Sequence, residues 1–90
     1  MRVEWDARKA RDNLRKHNVS FEEASSVFLD PLSATGQDPD HSVDEKRFVT
    51  FGVSSSGRLL VVAHAEREDG IRIISARRVS RAERKLYEKG

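Results

Sequence analysis

The chain has 90 residues, 37% hydrophobic and 36% charged, with a formal net charge of +2; this length supplies one hydrophobic core, so we expect a single domain over residues 1–90. It contains no cysteine, which excludes disulfides and thiolate metal sites. Because no apolar run approaches the roughly 18 residues of a membrane span and the N-terminus lacks a hydrophobic leader, we expect a globular protein of the cytoplasm.

The chain opens with a short strand and a helix. Residues 3–5 predict the strand, and Asp6 is a suitable N-cap for a helix that runs to about Lys16. Ala10 and Leu14 are spaced four apart, which predicts that both lie on the buried side of this helix.

A turn, a second helix and a loop follow. Asn18 tolerates the left-handed conformation that ends many helices. Ser20 and Glu23 have the spacing of a capping box for a helix that ends before Asp30-Pro31. Residues 33–46 are polar and contain a glycine and a proline, so they predict a loop of the kind that often carries function.

The second half of the chain predicts three strands and a helix. Within residues 47–53, the alternate positions Val49, Phe51 and Val53 share one face. Residues 58–66 carry the densest apolar run, and residues 71–79 form the last strand. Ser80 and Glu83 form a second capping box that opens a helix through Tyr87.

The predicted order is β-α-α-β-β-β-α, an α+β fold with an antiparallel sheet. The three consecutive strands form a meander because short turns join them, and the strand at 3–5 joins at an edge. The helices must cover one face of this sheet. The other face stays open to solvent or to a ligand.

Charge is distributed unevenly along the chain. Residues 22–45 contain several acids and no lysine or arginine. Residues 67–90 hold eight basic residues, at positions 67, 72, 77, 78, 81, 84, 85 and 89. The C-terminal part therefore predicts a basic face for phosphate groups, with a plain solvated surface as the alternative.

The motifs of metal-dependent and nucleotide-dependent enzymes are absent from the sequence. His17, His41 and His64 are far apart, and no HExxH, CxxC or Gly-rich phosphate loop is present. Catalysis would have to use His, Glu, Arg, Lys and Tyr. RNA cleavage suits these groups, because the 2′-hydroxyl is an internal nucleophile that needs only a base, an acid and charge stabilisation.

The last predicted strand carries three arginines. Simple alternation places Arg72 and Arg78 on one face and Arg77 on the other. The guanidinium fork matches phosphate oxygens, which indicates a role for Arg72 or Arg77 in stabilising charge. The alternative is a salt bridge from Arg77 to Glu83 or Glu66.

Two histidines are candidates for proton transfer. His64 shares a face with the apolar residues of its strand and precedes Arg67; it is either an acid or base or a hydrogen-bonded structural histidine. His41, Glu45 and Arg47 share a side if extended chain begins at residue 41, which would join a base, an orienting group and a cation. The alternative for this trio is an exposed polar loop.

Two further residues are weaker candidates. His17 closes the first helix, where the helix dipole alone favours an imidazolium. Tyr87 lies near the chain end and either stacks on a base or closes the core.

In this order, the segments resemble the BrnT toxins of bacterial type II toxin–antitoxin pairs, over almost the whole chain. Asn18 stands where that family more often has glycine. The matching stretches are Glu4-Trp5-Asp6, Lys9-Ala10, Asn13, Lys16-His17, Val19 to Ala24, Val27-Phe28, Asp30-Pro31, Asp40-His41-Ser42, Glu45, Arg47, Gly57-Arg58, Arg72 to Arg77, Glu83-Arg84 and Tyr87-Glu88.

The resemblance implies a RelE-like fold, RNA cleavage that arrests translation, and neutralisation by a BrnA-type antitoxin that carries the DNA-binding element. With the residue chemistry above, it predicts a metal-independent endoribonuclease without a cofactor. The competing hypotheses are a non-catalytic nucleic-acid-binding or regulatory module, and a toxin fold kept as a scaffold for its antitoxin. The predicted catalytic residues are His41, Glu45, His64, Arg67 and Arg77, and the predicted RNA-binding residues are Arg47, Arg72, Arg78 and Tyr87.

Overall fold

A computed structural model describes residues 1–38 and 46–89, except for the side chains of Leu86, Tyr87 and Lys89. This part of the chain is a small α+β domain with a five-stranded mixed sheet in the order β1-β5-β4-β3-β2 and three α-helices. A 3-10 helix, Val27–Leu29, continues the second helix. The elements are β1 (Arg2–Trp5), α1 (Ala7–His17), α2 (Phe21–Ser26), β2 (Ala34–Gln37), β3 (Arg47–Val53), β4 (Leu59–Arg67), β5 (Gly70–Arg78) and α3 (Arg81–Lys89).

The helix ends confirm the predictions made from single residues. The Asp6 carboxylate accepts the backbone N–H groups of Arg8 and Lys9 at 2.8 and 3.1 Å. Asn18 ends α1 in the left-handed region, with φ 57. These bonds satisfy N–H groups that have no partner inside the first turn.

The two predicted capping boxes differ in the structure. At the start of α3, Ser80 and Glu83 exchange both bonds, at 2.8 and 3.2 Å. At the start of α2, Ser20 accepts the N–H of Glu23 at 3.0 Å, but the Glu23 carboxylate turns toward Arg58 instead. At α2, the glutamate therefore forms a tertiary hydrogen bond in place of the second bond of the capping box.

The meander β3-β4-β5 is antiparallel, as predicted. Two other predictions about the sheet were wrong. β1 pairs with β5 in parallel, so the sheet is mixed. Residues 34–37, predicted as loop, form edge strand β2 against β3. Thr35 Oγ1 lies 2.7 Å from Thr50 Oγ1 across this pair. A polar four-residue strand leaves no apolar alternation to detect, which is why the pattern predicted a loop.

Helices α1 and α2 cover one face of the sheet, and the hydrophobic core lies between these helices and the sheet. In α1, Ala10 packs against the core as predicted, but the prediction for Leu14 was wrong, because Leu14 is 49% exposed and Asn13 is the buried residue. Gly52 lets the 3-10 helix approach β3, because a Cβ there would lie 2.8 Å from Val27 Cγ1. The core cluster comprises Val19, Phe21, Ala24, Val27, Leu60, Val62, Ile71, Ile73 and Ala76.

An irregularity in β5 changes which arginines share a face. The register pairs His64 with Ile73 but Ala63 with Ser75, so Ile74 is an extra residue in β5. Such a bulge reverses the alternation beyond it. Ile73 and Ala76 are therefore both buried in the core.

The bulge corrects the predicted distribution of arginines. Arg72 is paired with Ala65, and Arg77 with Val61, two β4 residues of the same face. Arg78 is paired with Leu60 on the helix-covered face. Arg72 and Arg77 thus share a face, in place of the predicted Arg72 and Arg78.

A charged network fastens α2 to the turn between β3 and β4. Glu23 forms a salt bridge with Arg58 and accepts the hydroxyl of Ser54 at 2.7 Å and that of Ser56. Arg58 Nη2 also donates to the carbonyl of Asn18 at 2.9 Å. Chiefly through the Arg58 hydrogen bonds, this site lowers the pKa of Glu23 to about 2.

We expect Glu23→Gln to lower the free energy of unfolding by about 2 kcal/mol at pH 7, a value reduced for the solvent that reaches the pair. Because the pKa of Glu23 is lower in the folded state, its carboxylate stabilises the fold above the unfolded-state pKa near 4.5. This stabilisation is lost as pH falls toward 2. Urea unfolding between pH 7 and pH 2 measures the difference in free energy of unfolding between Glu23→Gln and the unsubstituted chain. This difference should shrink as the pH is lowered. A difference that does not change with pH would contradict the electrostatic explanation.

Candidate functional site

The face of the sheet opposite α1 and α2, here called the open face, has an apolar floor. Its central side chains come from alternate positions of β3 and β4, namely Val49, Phe51, Val61, Ala63 and Ala65. Ala65 is 1% exposed, although it lies away from α1 and α2. Its register partners on the two neighbouring strands are Arg47 and Arg72.

Two arginines flank this floor at one end of the open face. The register places Arg47 and Arg72 on either side of Ala65, in one row that continues to Glu4. Adjacent strands are about 4.8 Å apart, so the backbones of the two arginines are about 10 Å apart. Both side chains are partly exposed. The arrangement offers two guanidinium groups on a shared apolar surface.

A carboxylate joins the arginines at this end. Arg67 is the last residue of β4 and shares the open face with Arg72. Its Nε lies 3.9 Å from Glu4 Oε1, and the two side chains are 37% and 48% exposed. Glu4 was not among the predicted site residues. Its alternation with Val3 and Trp5 is visible in the sequence, but its neighbours become apparent only from the parallel pairing of β1 with β5.

Arg77 is at the other end of the open face and is held by Glu83. Its Nη1 and Nη2 donate to the two carboxylate oxygens of Glu83, both at 2.9 Å. This bidentate contact is the main cause that lowers the pKa of Glu83 to about 2. The salt bridge that the sequence left open as the alternative for Arg77 is therefore present. It ties the start of α3 to the end of β5.

His64 is separated from the open face, because its side chain lies on the helix-covered side of β4. It is 5% exposed, its Nε2 is 2.8 Å from Thr50 Oγ1, and its ring lies between Phe28 and Phe48. Nδ1 is buried and has no hydrogen-bond partner among the described residues. Burial lowers the pKa of His64, which favours the neutral ring. These surroundings agree with the alternative given in the sequence analysis, in which His64 is a hydrogen-bonded structural histidine.

The remaining predicted site residues either lie away from the open face or fall outside the described residues. Arg78 is exposed at the end of β5, on the helix-covered side. His17 closes α1 and lines a shallow polar cavity with Lys9 and Lys16. His41 and Glu45, and the side chain of Tyr87, lie outside the described residues.

Within 1–38 and 46–89, no three His, Asp or Glu side chains come together in a group that could hold a metal ion. The helices in the same ranges are too short or too polar for any to cross a membrane.

Comparison with known families shows the family to which the chain belongs. The model of the family described as "Ribonuclease toxin, BrnT, of type II toxin-antitoxin system" matches residues 5–83. The chain belongs to the BrnT family. Membership implies a ribonuclease toxin that is paired with an antitoxin, and it confirms the resemblance found in the sequence. No curated protein sequence matches the chain.

The BrnT match includes nearly all of the open face. The arginines at 47, 67, 72 and 77 lie inside the matched range, and so does Glu83. Glu4 lies one residue before the range begins.

Proposed function

We propose that this BrnT protein is a metal-independent endoribonuclease that acts in the bacterial cytoplasm and cleaves RNA on the open face. The observation that supports it is the row in which Arg47 and Arg72 flank Ala65, with Glu4 and Arg67 beside them. The partly exposed floor residues Val49, Phe51 and Ala63 suit bases and riboses, and the guanidinium groups suit the phosphate between them.

The cleavage step uses the 2′-hydroxyl of RNA. Its oxygen bonds to phosphorus as a base removes the proton, and the bond from phosphorus to the 5′-oxygen breaks as an acid protonates the leaving oxygen. The products are a 2′,3′-cyclic phosphate and a 5′-hydroxyl. Arg47 and Arg72 stabilise the charge on the phosphoryl oxygens, a task that a metal ion performs in other nucleases.

The proton-transfer groups in this proposal are His41 and Glu45, as predicted, with Glu4 as an additional carboxylate. Arg67 orients Glu4 through their 3.9 Å contact. Arg77 contributes to RNA binding only when it exchanges Glu83 for a phosphate, since both of its terminal nitrogens donate to that carboxylate.

The outer binding roles and the partner belong to the same proposal. Arg78 and Tyr87 also bind RNA, in a single domain with the RelE-like fold. A BrnA-type antitoxin neutralises the toxin and carries the DNA-binding element, through which the complex represses its own operon.

The decisive experiment measures cleavage of a synthetic RNA in the presence of excess EDTA. We expect cleavage to continue, to leave a 2′,3′-cyclic phosphate, and to stop when a 2′-O-methyl group blocks the cleaved position. Induced expression should arrest growth, and co-expression of the operon's antitoxin should relieve the arrest. Activity that EDTA abolishes and a divalent ion restores would refute metal independence. Salt-dependent RNA binding without any cleavage would favour the non-catalytic module.

A further inference from the structure

Exposed apolar side chains cluster at one corner of the molecule. Leu29 is 83% exposed, Leu32 is 78% exposed, and Val53 is 41% exposed. Asp30 joins their backbones, because its carboxylate accepts the N–H of Leu32 at 2.9 Å and the N–H of Val53 at 2.8 Å. We call Leu29, Leu32 and Val53 the leucine corner.

The backbone beneath the leucine corner is firmly held. Asp30 N–H donates to the carbonyl of Val27 at 3.1 Å, and Ser33 N–H donates to the carbonyl of Asp30 at 3.0 Å. Val27 is fully buried and rests against Gly52 of β3. The two leucines are therefore displayed in fixed positions, and a partner would not have to order this backbone to bind them.

The surroundings of the leucine corner are acidic. Residues 22–38 contain four acids and no lysine or arginine. Glu22 is exposed and stands seven residues before Leu29, about two helical turns. Arg58, which is close to α2, is paired with Glu23, so these two charges offset each other and three of the four acids remain. An apolar surface with acidic neighbours disfavours RNA and suits a partner segment that is basic and carries apolar side chains.

The leucine corner borders the end of the open face where Phe51, Val61 and Arg77 lie. Val53 and Phe51 lie on that face of β3, and Phe51 is in the row of Val61 and Arg77. The row of Arg47 and Arg72 is at the opposite end of the same strands. A segment bound to the leucine corner would thus extend over one end of the RNA surface without touching these two arginines.

We propose that the leucine corner is the docking site for a basic, amphipathic segment of the antitoxin, which blocks RNA by covering the adjoining end of the open face. This inference rests on the proposed function, in that the blocked substrate is RNA. The exposed leucines supply the central apolar contact, and the acids supply orientation and a faster approach.

The first test substitutes the leucines and measures binding of the antitoxin encoded in the same operon. We expect the double variant Leu29→Ala/Leu32→Ala to raise Kd about 100-fold, about tenfold for each anchor lost. Leu14→Ala, an exposed leucine on α1, is the matched control and should change Kd less than twofold. RNA cleavage by the double variant without antitoxin should equal that of the unsubstituted chain.

The second test uses charge and depends on no apolar side chain. Glu22→Lys should slow association several-fold and weaken its salt dependence. Glu68→Lys in the exposed β4–β5 turn is the matched control and should leave association unchanged. This surface exchange keeps the test decisive if the double leucine variant does not fold.

Specific outcomes would overturn the docking site. Unchanged Kd in a folded leucine variant, or equal effects of Glu22→Lys and Glu68→Lys, would do so. Loss of self-association in size-exclusion chromatography, with antitoxin binding intact, would assign the leucine corner to contacts between copies of this chain. Binding is measured without RNA, so a failure to detect RNA cleavage refutes the proposed function and leaves this test readable.

Discussion

An Arg72→Ala variant is expected to cleave RNA about 10²–10³ times more slowly than the unsubstituted chain, the usual cost of removing one donor to a charged transition state. Arg72 stands across Ala65 from Arg47 on the open face, so one guanidinium remains when the other is removed. Arg47→Ala should have a similar effect. The double variant should lose less than the product of the two, because residues that act as a unit are not additive.

Single-turnover cleavage of a synthetic RNA measures this effect. Arg11→Ala is the matched control, since Arg11 is an exposed arginine on α1, on the other side of the sheet. Arg72→Lys keeps the charge but loses the planar fork, and should recover only part of the rate. A folded Arg72→Ala variant that cleaves within threefold of the Arg11→Ala control would exclude Arg72 from the chemistry.

The parts of the fold that could be predicted are those encoded by neighbouring residues. Asp6, Asn18 and Ser20 each determine a helix end through their own side chain or backbone conformation. Strand 47–53 was predicted with its observed bounds, because Val49, Phe51 and Val53 fall on one face and turn residues follow directly. Local signals of this kind need no knowledge of the partner strand.

The parts that could not be predicted depend on residues far apart in the chain. The parallel pairing of β1 with β5 brings Glu4 beside Arg67, 63 positions later. The extra residue Ile74 reverses the alternation of β5 and moves Arg77 to the side of Arg72. Neither event has a signal inside its own segment, so the composition of the open face follows only from the assembled sheet.

Asn13 should be the most sensitive position in the core, and we expect Asn13→Ala to lower the free energy of unfolding by about 3 kcal/mol. Its Nδ2 donates to the carbonyls of Val19 and Ala76 at 2.9 and 2.8 Å, and its Oδ1 accepts the N–H of Ala76 at 3.0 Å. Alanine would leave these groups buried without partners. The whole free energy of unfolding of a 90-residue chain is only about 5–13 kcal/mol.

The position of Asn13 explains this importance. The pairing of β1 with β5 ends at Trp5 and Ile73, so Ala76 has no β1 residue beside it. The Asn13 side chain supplies both of the bonds to Ala76 that a further strand residue would make. The side-chain amide of Asn13 therefore takes the place of a backbone amide at this edge of the sheet.

Urea unfolding of Asn13→Ala, with Asn18→Gly as the matched control, tests this interpretation. Glycine keeps the left-handed conformation of residue 18, so the control should change stability by only a few tenths of a kcal/mol. Asn13→Asp provides a further check, because a carboxylate facing two carbonyls is stabilised when it is protonated. Its destabilisation should decrease as pH falls from 7 to 4. A loss below 1 kcal/mol in Asn13→Ala would contradict the role assigned to the amide.

The same variant separates folding from chemistry on the open face. Ala76 lies between Ser75 and Arg77 in β5, so loss of the Asn13 amide loosens the strand that presents Arg72 and Arg77. Asn13→Ala should therefore lose RNA cleavage near its lowered Tm and recover it on cooling, where most molecules are folded. Arg72→Ala should be slow at every temperature. If both variants recovered on cooling, Arg72 would contribute to the fold and not to the cleavage step.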